Sequence, residues 1–460
     1  MMLPLFRLPA LSWRLELRDL LLLAVPLALS QVGLILMSIT DALMMGRLST
    51  EALAAGGLAV NVAFTLVIMP QGLLYAMQPI LAQLRGAADF APFARTLAAA
   101  YCLALLCALP IILMLTQIDR LLLVVGADAT LAAMALDYEW GYVWGVPAIL
   151  WQMVGRLYLS SLERPRVILV TITVACFANA ALNWLLIYGH LGLPACGLRG
   201  SAYATSLSCW GMAIALTAYG FKLRLFPPGI FRVRWPDLRH GVAELVTLGW
   251  AIAGSIIVEV GLFSASTLLM SRFGPAPVAA NQICLGIASL TFMVPQALGQ
   301  ASTVRVGFHI GAGQPLLARQ AGFIALGLGT LFMAMATLVL ELEAGSIVHL
   351  YIDETDPQLP EILQIGKKLI GLAALFQLFD GAQVVASGSL RGLKDTRVPL
   401  YASILGYWAI GLSLGVFLAF GLKWGPAGLW WGFVVGLVVV SLLLSWRFNR
   451  LSAQLVARDP

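Results

Sequence analysis

Residues 251–270 read AIAGSIIVEVGLFSASTLLM and contain a single charged side chain, Glu259. A helix rises ~1.5 Å per residue, so a segment of this length crosses the ~30 Å hydrocarbon core of a bilayer. An ionised carboxyl group at that depth costs ~2.5–3.5 kcal/mol on insertion scales, so an acid there is a candidate functional residue. The segment therefore predicts a membrane-spanning helix that carries a functional acid.

The composition extends this interpretation to the whole chain. Of its 460 residues, 60% are hydrophobic and only 11% are charged, whereas soluble proteins carry roughly 25% charged residues. The short alternating pattern of barrel strands is absent. Apolar runs predict twelve spans, at 20–45, 52–80, 93–116, 130–160, 166–189, 197–220, 243–271, 277–307, 316–340, 360–388, 397–420 and 426–446. We predict an all-α membrane protein with twelve transmembrane helices.

Basic residues indicate the orientation of these helices. Most Lys and Arg residues lie at the two termini and in the loops after even-numbered spans. The connection between the ninth and tenth spans is instead acidic, with Glu341, Glu343, Asp353, Glu354 and Asp356. The positive-inside rule therefore predicts that both termini are cytoplasmic. The same asymmetry accounts for the net charge of +6, which gives no reason to expect a nucleic-acid partner.

The two halves of the chain match one another. Arg47 and Arg272 are 225 residues apart, as are Gly86 and Gly311 and the two Pro-Gln pairs that begin at residues 70 and 295. We predict an N-terminal six-helix bundle (1–220), a basic cytoplasmic linker (221–242) that contains Pro227-Pro228, and a C-terminal six-helix bundle (243–460). Parallel repeats of this kind are typical of secondary transporters. No phosphate-binding GxxxxGK[ST] loop occurs. A channel and a membrane enzyme are the alternative classes.

The C-terminal half carries two candidate acids, Glu259 and Asp380. Asp380 lies in ALFQLFDGAQVVASGSLRG (374–392), where Gln377, Asp380 and Gln383 form a polar stripe at every third residue. If Glu259 and Asp380 face each other, they could share a proton or hold a sodium ion. The adjacent Gly381 allows close backbone approach or local unwinding. The alternative for Glu259 is an ion pair with a base on another helix, chiefly Arg156.

The N-terminal half carries Asp41 in the first span. Asn179 and Asn183 of the fifth span are four residues apart and share a helix face, and Thr205 of the sixth span could add a further oxygen. These side chains predict an N-terminal polar site. Two alternatives stand beside it: an ion pair of Asp41 with Arg47, and simple hydrogen bonding between helices by the two amides.

Other polar residues receive structural interpretations. Arg156, Glu139 and Asp137, in or near the fourth span, could form a local charge pair that supports the fold. The six cysteines and four histidines are scattered without metal-ligand spacing, so the cysteines are interpreted as small buried hydrophobic side chains.

Four segments carry a resemblance to a known family. They are PLALSQVGLILMSITDALMMGRL (26–48), GLFSASTLLMSRFGPAPVAANQI (261–283), VPQALGQASTVRVGFHIGAG (294–313) and DGAQVVASGSLRGLKD (380–395). Over essentially its whole length the chain resembles the multidrug and toxic compound extrusion family, and more closely its bacterial NorM-type branch.

The resemblance implies a fold and an activity. It implies two pseudo-symmetric six-helix bundles that export organic cations and amphiphilic drugs by antiport with Na⁺ or H⁺ across the bacterial inner membrane. We expect a monomer in membrane lipid, with no cofactor besides the coupling ion and no enzymatic activity. The cation site of the branch matches Glu259 and Asp380, and these two acids would bind the metal ion if the coupling ion is Na⁺. The N-terminal polar group of the family matches Asp41, Asn179 and Asn183. The supporting residues are Gln377, Gln383, Phe376, Gln282 and Arg156.

Two departures from the family pattern matter. Some relatives carry a Tyr where this chain has Phe376, so one potential ligand is missing. Archaeal relatives carry an acid where this chain has Asn183, which favours ion coupling at the C-terminal pair. A lipid-linked saccharide flippase of the same superfamily is the alternative, but such a substrate favours a strongly basic cavity. Bases at membrane depth are here nearly limited to Arg156.

Overall fold

The computed structural model describes residues 10–124, 126–227, 229–351 and 359–458, and within these ranges the chain is helical with short turns. The helices are α1 (Ala10–Gly46), α2 (Thr50–Tyr75), α3 (Met77–Gly86), α4 (Ala91–Leu115), α5 (Ile118–Val124), α6 (Ala129–Tyr142), α7 (Val146–Ser161), α8 (Pro165–Tyr188), α9 (Gly197–Lys222), α10 (Trp235–Met270), α11 (Pro275–Gly311), α12 (Pro315–Tyr351), α13 (Leu359–Gly392), α14 (Arg397–Ser403), α15 (Ser413–Val416) and α16 (Pro426–Arg458). Two short 3₁₀ segments, Ile230–Arg232 and Ser271–Phe273, flank α10. The predicted acidic residues Asp353, Glu354 and Asp356, and Pro228 of the linker, lie outside the described residues.

Local signals set several helix ends. The Ser49 hydroxyl accepts a hydrogen bond from the Ala52 N–H at 3.0 Å and caps α2. Asp128 caps α6 by accepting from the N–H groups of Thr130 (2.8 Å) and Leu131 (3.3 Å). These two donors lower the pKa of the Asp128 carboxyl because they stabilise its charged form. Gly189 ends α8 with a φ of 73°.

The all-α membrane fold is confirmed. Within the described ranges, ten helical segments are long and apolar enough to cross a membrane. The two predicted spans outside this set are also helical. The span 130–160 is divided into α6 and α7 at residues 143–145, and the span 197–220 corresponds to α9. The eleventh predicted span departs from regular α geometry, since π-helical segments occupy Ile404–Leu412 and Phe417–Gly421.

Contacts divide the chain into two compact units. The N-terminal unit comprises Leu29–Ala253, and the C-terminal unit comprises Met1–Ala28 together with Gly254–Pro460. The boundaries divide α1 after residue 28 and α10 after residue 253, and these two points are separated by the same 225 residues as the sequence repeat. Residues 10–28 of α1 therefore belong to the C-terminal unit and the rest of α1 to the N-terminal unit. Residues 235–253 of α10 belong to the N-terminal unit and the rest of α10 to the C-terminal unit. The division into residues 1–220, 221–242 and 243–460 stays a prediction.

Each unit has an apolar core built from helix faces. In the N-terminal unit, a cluster of small and aromatic side chains joins α2, α6 and α9, with Ala55, Ala135 and Ala202 fully buried and Tyr138 nearly so. In the C-terminal unit a larger cluster surrounds α13, the most buried of the candidate spans. Polar side chains on these helix faces are consequently buried against other helices and do not contact solvent or lipid.

Candidate functional site

The first candidate site lies in the C-terminal unit and contains Glu259 and Asp380. Asp380, on α13, is only 6% exposed, and Glu259, on α10, is half-buried. The two carboxyl groups lie close enough for their charges to interact. Two carboxylates that share a low-dielectric site repel each other, so the pair favours a bound proton or cation between them.

Two amide side chains, Gln377 and Gln383, flank Asp380 along the predicted polar stripe of α13. The Thr291 hydroxyl donates to Gln377 Oε1 at 2.7 Å, while Gln377 Nε2 has no hydrogen-bond partner among the described residues. Gln383 Oε1 is likewise buried and unpartnered. Buried polar atoms are nearly always hydrogen-bonded, so the free Gln377 donor indicates capacity to bind water, and the free Gln383 acceptor indicates capacity to bind water or a cation.

The eleventh span contributes two aromatic residues that the sequence interpretation missed. Tyr407 is 2% exposed and lies within electrostatic reach of both Glu259 and Asp380. Trp408 donates from Nε1 to the carbonyl oxygen of Val258 at 3.0 Å, one residue before Glu259. Both residues belong to the π-helical segment, and such segments occur frequently at functional sites. An aromatic residue within a long apolar run offers no hydropathy signal that would single it out.

The remaining supporting residues have different positions. Phe376 is buried, and its ring makes edge contacts with Phe263 and Trp430 at centroid distances of 6.0 and 5.9 Å. Gln282 is exposed on α11, and no contact described in the structure joins it to the acidic pair. Gly381 serves close approach, because a Cβ atom there would lie 2.6 Å from Met333 Cγ; α13 continues through it without unwinding.

The second candidate site lies in the N-terminal unit around Asp41. Asn183 donates from Nδ2 to Asp41 Oδ1 at 2.5 Å and also to Asn179 Oδ1 at 3.1 Å, and Thr205 donates to Asp41 Oδ2 at 3.0 Å. Asp41 is 7% exposed and the two Asn side chains are fully buried. The structure thus brings together all four residues predicted for this site. Arg47 is exposed, and no Asp41–Arg47 ion pair occurs among the described contacts.

The structure corrects the predicted charge pairs. Asp137 pairs with Arg199 at the start of α9, and Arg156 donates to Gln31 Oε1 at 3.3 Å. Glu139 is fully buried, and neither of its carboxyl oxygens has a described hydrogen-bond partner. The local pair among Arg156, Glu139 and Asp137 was therefore wrong, because the side chains of a helix are distributed among several neighbouring helices.

A second correction concerns the base that acts on Glu259. Sequence reasoning named Arg156 as its main potential partner, but the cation with a described electrostatic effect on Glu259 is Arg391, in the last turn of α13. The predicted tenth span ends at residue 388, which leaves Arg391 in the loop that follows. Its long side chain belongs to the helix that also carries Asp380.

A polytopic helical fold with acids and amides buried among apolar spans is typical of secondary membrane transporters. The family model described as MatE matches residues 26–185 and 251–417. The chain belongs to this family.

Curated relatives match over nearly the full length. The chain is 41% identical over 440 residues to a probable multidrug resistance protein NorM of Burkholderia pseudomallei, covering 95% of this chain and 93% of the relative. It is 40% identical over 441 residues to the multidrug resistance protein NorM of Burkholderia vietnamiensis, covering 95% and 94%. The resemblance to the NorM-type branch is confirmed.

Solved structures share the fold. The Vibrio cholerae MATE transporter VcmN in its bent form superimposes with a TM-score of 0.85 at 20% identity, covering 97% of this chain and 99% of that chain. The eukaryotic MATE transporter AtDTX14 gives a TM-score of 0.83 at 23% identity, covering 98% of this chain and all of the other.

Proposed function

We propose that this protein is a secondary active multidrug exporter that exchanges organic cations and amphiphilic drugs for Na⁺ or H⁺ across the bacterial inner membrane. Its relatives at about 40% identity are named multidrug resistance proteins, which supports the substrate class. The observation that carries the proposal is the interacting pair of acids, Glu259 and Asp380, within the C-terminal unit.

The pair suits a monovalent cation for an electrostatic reason. The positive charge of Arg391 stabilises a charged Glu259. The charge described near Asp380 is that of Glu259, which has the same sign and repels it. A proton or Na⁺ bound at the pair relieves this repulsion. Gln383 Oε1 is a free acceptor that can contact a bound cation, and Gln377 Nε2 is a free donor that can bind a water molecule.

Antiport follows if drug and coupling ion favour different states of the protein. A ligand shifts a conformational equilibrium only by its differential affinity for the two states. If an organic cation and the coupling ion compete for the same carboxylates, occupation by one disfavours binding of the other. Entry of the ion from the outer side then promotes release of the drug. A lipid-linked saccharide bears anionic phosphate, which the acid pair disfavours.

The first prediction concerns Asp380. In proteoliposomes with an imposed Na⁺ or H⁺ gradient, Asp380→Asn should reduce drug efflux by at least about tenfold, since a neutral amide removes the charge that attracts the ion. Glu361→Gln is the matched control, because it neutralises an exposed acid in the first turn of the same helix. The control should retain the efflux rate of the unmodified protein.

The two gradients applied separately identify the coupling ion. Efflux that responds to Na⁺ alone, or to the pH gradient alone, assigns the ion directly. Unchanged efflux by Asp380→Asn under both gradients contradicts the assignment of the acid pair. Efflux by the unmodified protein that needs neither gradient contradicts secondary transport.

A further inference from the structure

Glu139 is a titratable side chain that the proposed cation sites do not use. It lies in the last turn of α6, within the N-terminal unit, and is 0% exposed. Neither Oε1 nor Oε2 has a hydrogen-bond partner among the described residues. An ionised carboxylate in this position would lose its hydration and gain neither a hydrogen bond nor a cation in return.

The groups around Glu139 offer no compensating charge. Its near titratable neighbours are the two phenols of its own helix, Tyr138 and Tyr142, whose rings stack at 6.0 Å. Helices α2, α5 and α9 pack against α6. Of their described groups, the neutral Cys209 thiol of α9 lies near the same phenols, and Arg199 pairs with Asp137.

The other charged side chains of those helices are mostly exposed. Glu51 of α2, Arg120 of α5 and Lys222 of α9 are exposed, and Asp119 of α5 is half-buried. No charged side chain among the described residues has an electrostatic effect on Glu139, whereas its burial disfavours the charged form of the carboxyl group. A lone carboxyl group in this environment is stable only in its neutral form.

We propose that Glu139 is a proton-binding site of the N-terminal unit, separate from Asp41, which holds a proton while the end of α6 is packed and releases it when that turn opens to water. The ligand is the proton, and the site has one carboxyl group. Tyr138 and Tyr142 lie within electrostatic reach of both Glu139 and Asp41.

The end of α6 provides a place where opening can occur. The helix stops at Tyr142, and α7 begins at Val146. The hydroxyl of Ser206, on α9, donates to the carbonyl oxygen of Gly141 at 2.8 Å, with a longer contact of 3.4 Å to that of Tyr142. The carbonyl oxygens of Glu139 and Tyr142 accept turn hydrogen bonds from the N–H groups of Val143 (2.9 Å) and Gly145 (2.8 Å). The regular helical hydrogen bonds end here, so this turn opens at lower cost than a helix interior.

The direction of the pH effect follows from proton linkage. An exposed glutamate ionises near pH ~4.3, whereas the packed carboxyl group stays protonated at higher pH. The packed state therefore binds one more proton than the open state over the neutral range. Raising the pH favours opening by up to about tenfold per pH unit, the limit set by one proton.

The direct experiment is infrared difference spectroscopy of the purified protein. We expect a carbonyl-stretch band of a protonated carboxyl group at neutral pH, which shifts in deuterated water. The band should be lost in Glu139→Gln and retained in Asp137→Asn, an acid two residues away that is ion-paired and partly exposed. Glu139→Met, which keeps a side chain of similar volume, should lose the same band if Glu139→Gln folds poorly. Superimposable spectra of the unmodified protein and either Glu139 variant overturn the proposal.

Hydrogen exchange tests the coupling to opening. After correction for intrinsic exchange rates, protection of residues 129–146 should fall with rising pH in the unmodified protein, by up to about tenfold per unit. Protection in Glu139→Gln should be independent of pH over the same range, because its neutral amide cannot ionise. An equal pH dependence in both proteins overturns the coupling. Neither measurement depends on transport, so both stand apart from the proposed exporter function.

Discussion

The two candidate sites make different use of carboxyl oxygens. Asp41 accepts hydrogen bonds at both oxygens, from Asn183 and Thr205, and these neutral donors offset part of the cost of burying the carboxyl group. Asp380 and Glu259 instead lie within reach of each other's charge. The first arrangement holds a side chain in place, and the second favours an exchangeable ion. We therefore expect ion coupling at the C-terminal pair and a positioning role for the donors around Asp41.

The donor role of Thr205 gives a prediction at the scale of one side chain. Thr205→Val keeps the shape and leaves Asp41 Oδ2 without its described donor. Losing a hydrogen bond to a charged group costs about 1.5–3 kcal/mol, so thermal unfolding in detergent should occur at a lower temperature. Thr173→Val is the control, since that hydroxyl is exposed and bonds only within its own helix, to the Leu169 carbonyl. Equal effects of the two substitutions would count against a specific Thr205–Asp41 bond.

Helix α13 organises the C-terminal unit through close approach to its neighbours. A Cβ atom at Gly388 would lie 2.2 Å from the carbonyl oxygen of Gly299, on α11, and backbone at that distance cannot yield as a flexible side chain can. The same pair of helices is joined by hydroxyl contacts, with Ser302 and Ser389 at 2.7 Å. Membrane helices usually pack through small residues and short polar contacts. Lipid is as apolar as the helix surfaces, so the hydrophobic effect does not drive the helices together.

This packing predicts the outcome of adding a single methyl group. Gly388→Ala should force α11 and α13 apart and lower stability by more than about 2 kcal/mol, with less monodisperse protein after extraction. Gly327→Ala places the same methyl group in open space on the neighbouring α12 and should be neutral or slightly stabilising. Size-exclusion chromatography and thermal unfolding compare the two variants. A well-folded Gly388→Ala protein would show that the close approach is not required.

The π-helical segment predicts a more selective effect. Tyr407→Phe removes a hydroxyl group within electrostatic reach of Glu259 and Asp380 but keeps the buried ring. The coupling-ion concentration for half-maximal efflux should rise by about three- to tenfold, as expected for one lost polar interaction. Thermal unfolding should change little. Tyr401→Phe, on an exposed position of α14 in the same span, is the control, and an identical ion dependence in both variants would exclude a role of the Tyr407 hydroxyl.

At the scale of the whole molecule, contacts far apart in sequence assemble the C-terminal unit. Glu16 near the start of α1 accepts two hydrogen bonds from Arg305 of α11, 289 residues away, and His309 lies 3.0 Å from the same carboxyl group. Glu16 and Arg305 are 5% and 7% exposed. This buried pair fixes the first part of α1 within a unit formed otherwise from residues after Gly254.

A double-mutant cycle tests this long-range pair. Glu16→Met should destabilise the protein by about 3–5 kcal/mol, because it leaves the Arg305 guanidinium buried without its main partner. Glu16→Met combined with Arg305→Met should be less destabilising than the sum of the two single changes, and even less than Glu16→Met alone. Thermal unfolding of the four proteins measures the coupling. Additive losses would show that the pair contributes no interaction energy.

The all-α membrane fold, the repeat spacing and the candidate acids Asp41, Glu259 and Asp380 could be predicted from the sequence. Apolar length is a local property, and a carboxyl group at membrane depth is costly enough to stand out in any apolar run. The hydrogen-bonded group of Asp41, Asn179, Asn183 and Thr205 was also predictable, because its members are among the few polar residues of their helices.

Which side chains meet could not be predicted from the sequence and depends on the packing of the helices. The tertiary structure replaced Arg156 by Arg391 as the base near Glu259, added Tyr407 and left Glu139 without a partner among the described residues. It also divided the predicted fourth span into α6 and α7 and assigned the first part of α1 to the C-terminal unit. The physical reason is that lipid and protein interior are equally apolar. A membrane helix therefore shows little amphipathic signal for the rotation and register that bring particular residues into contact.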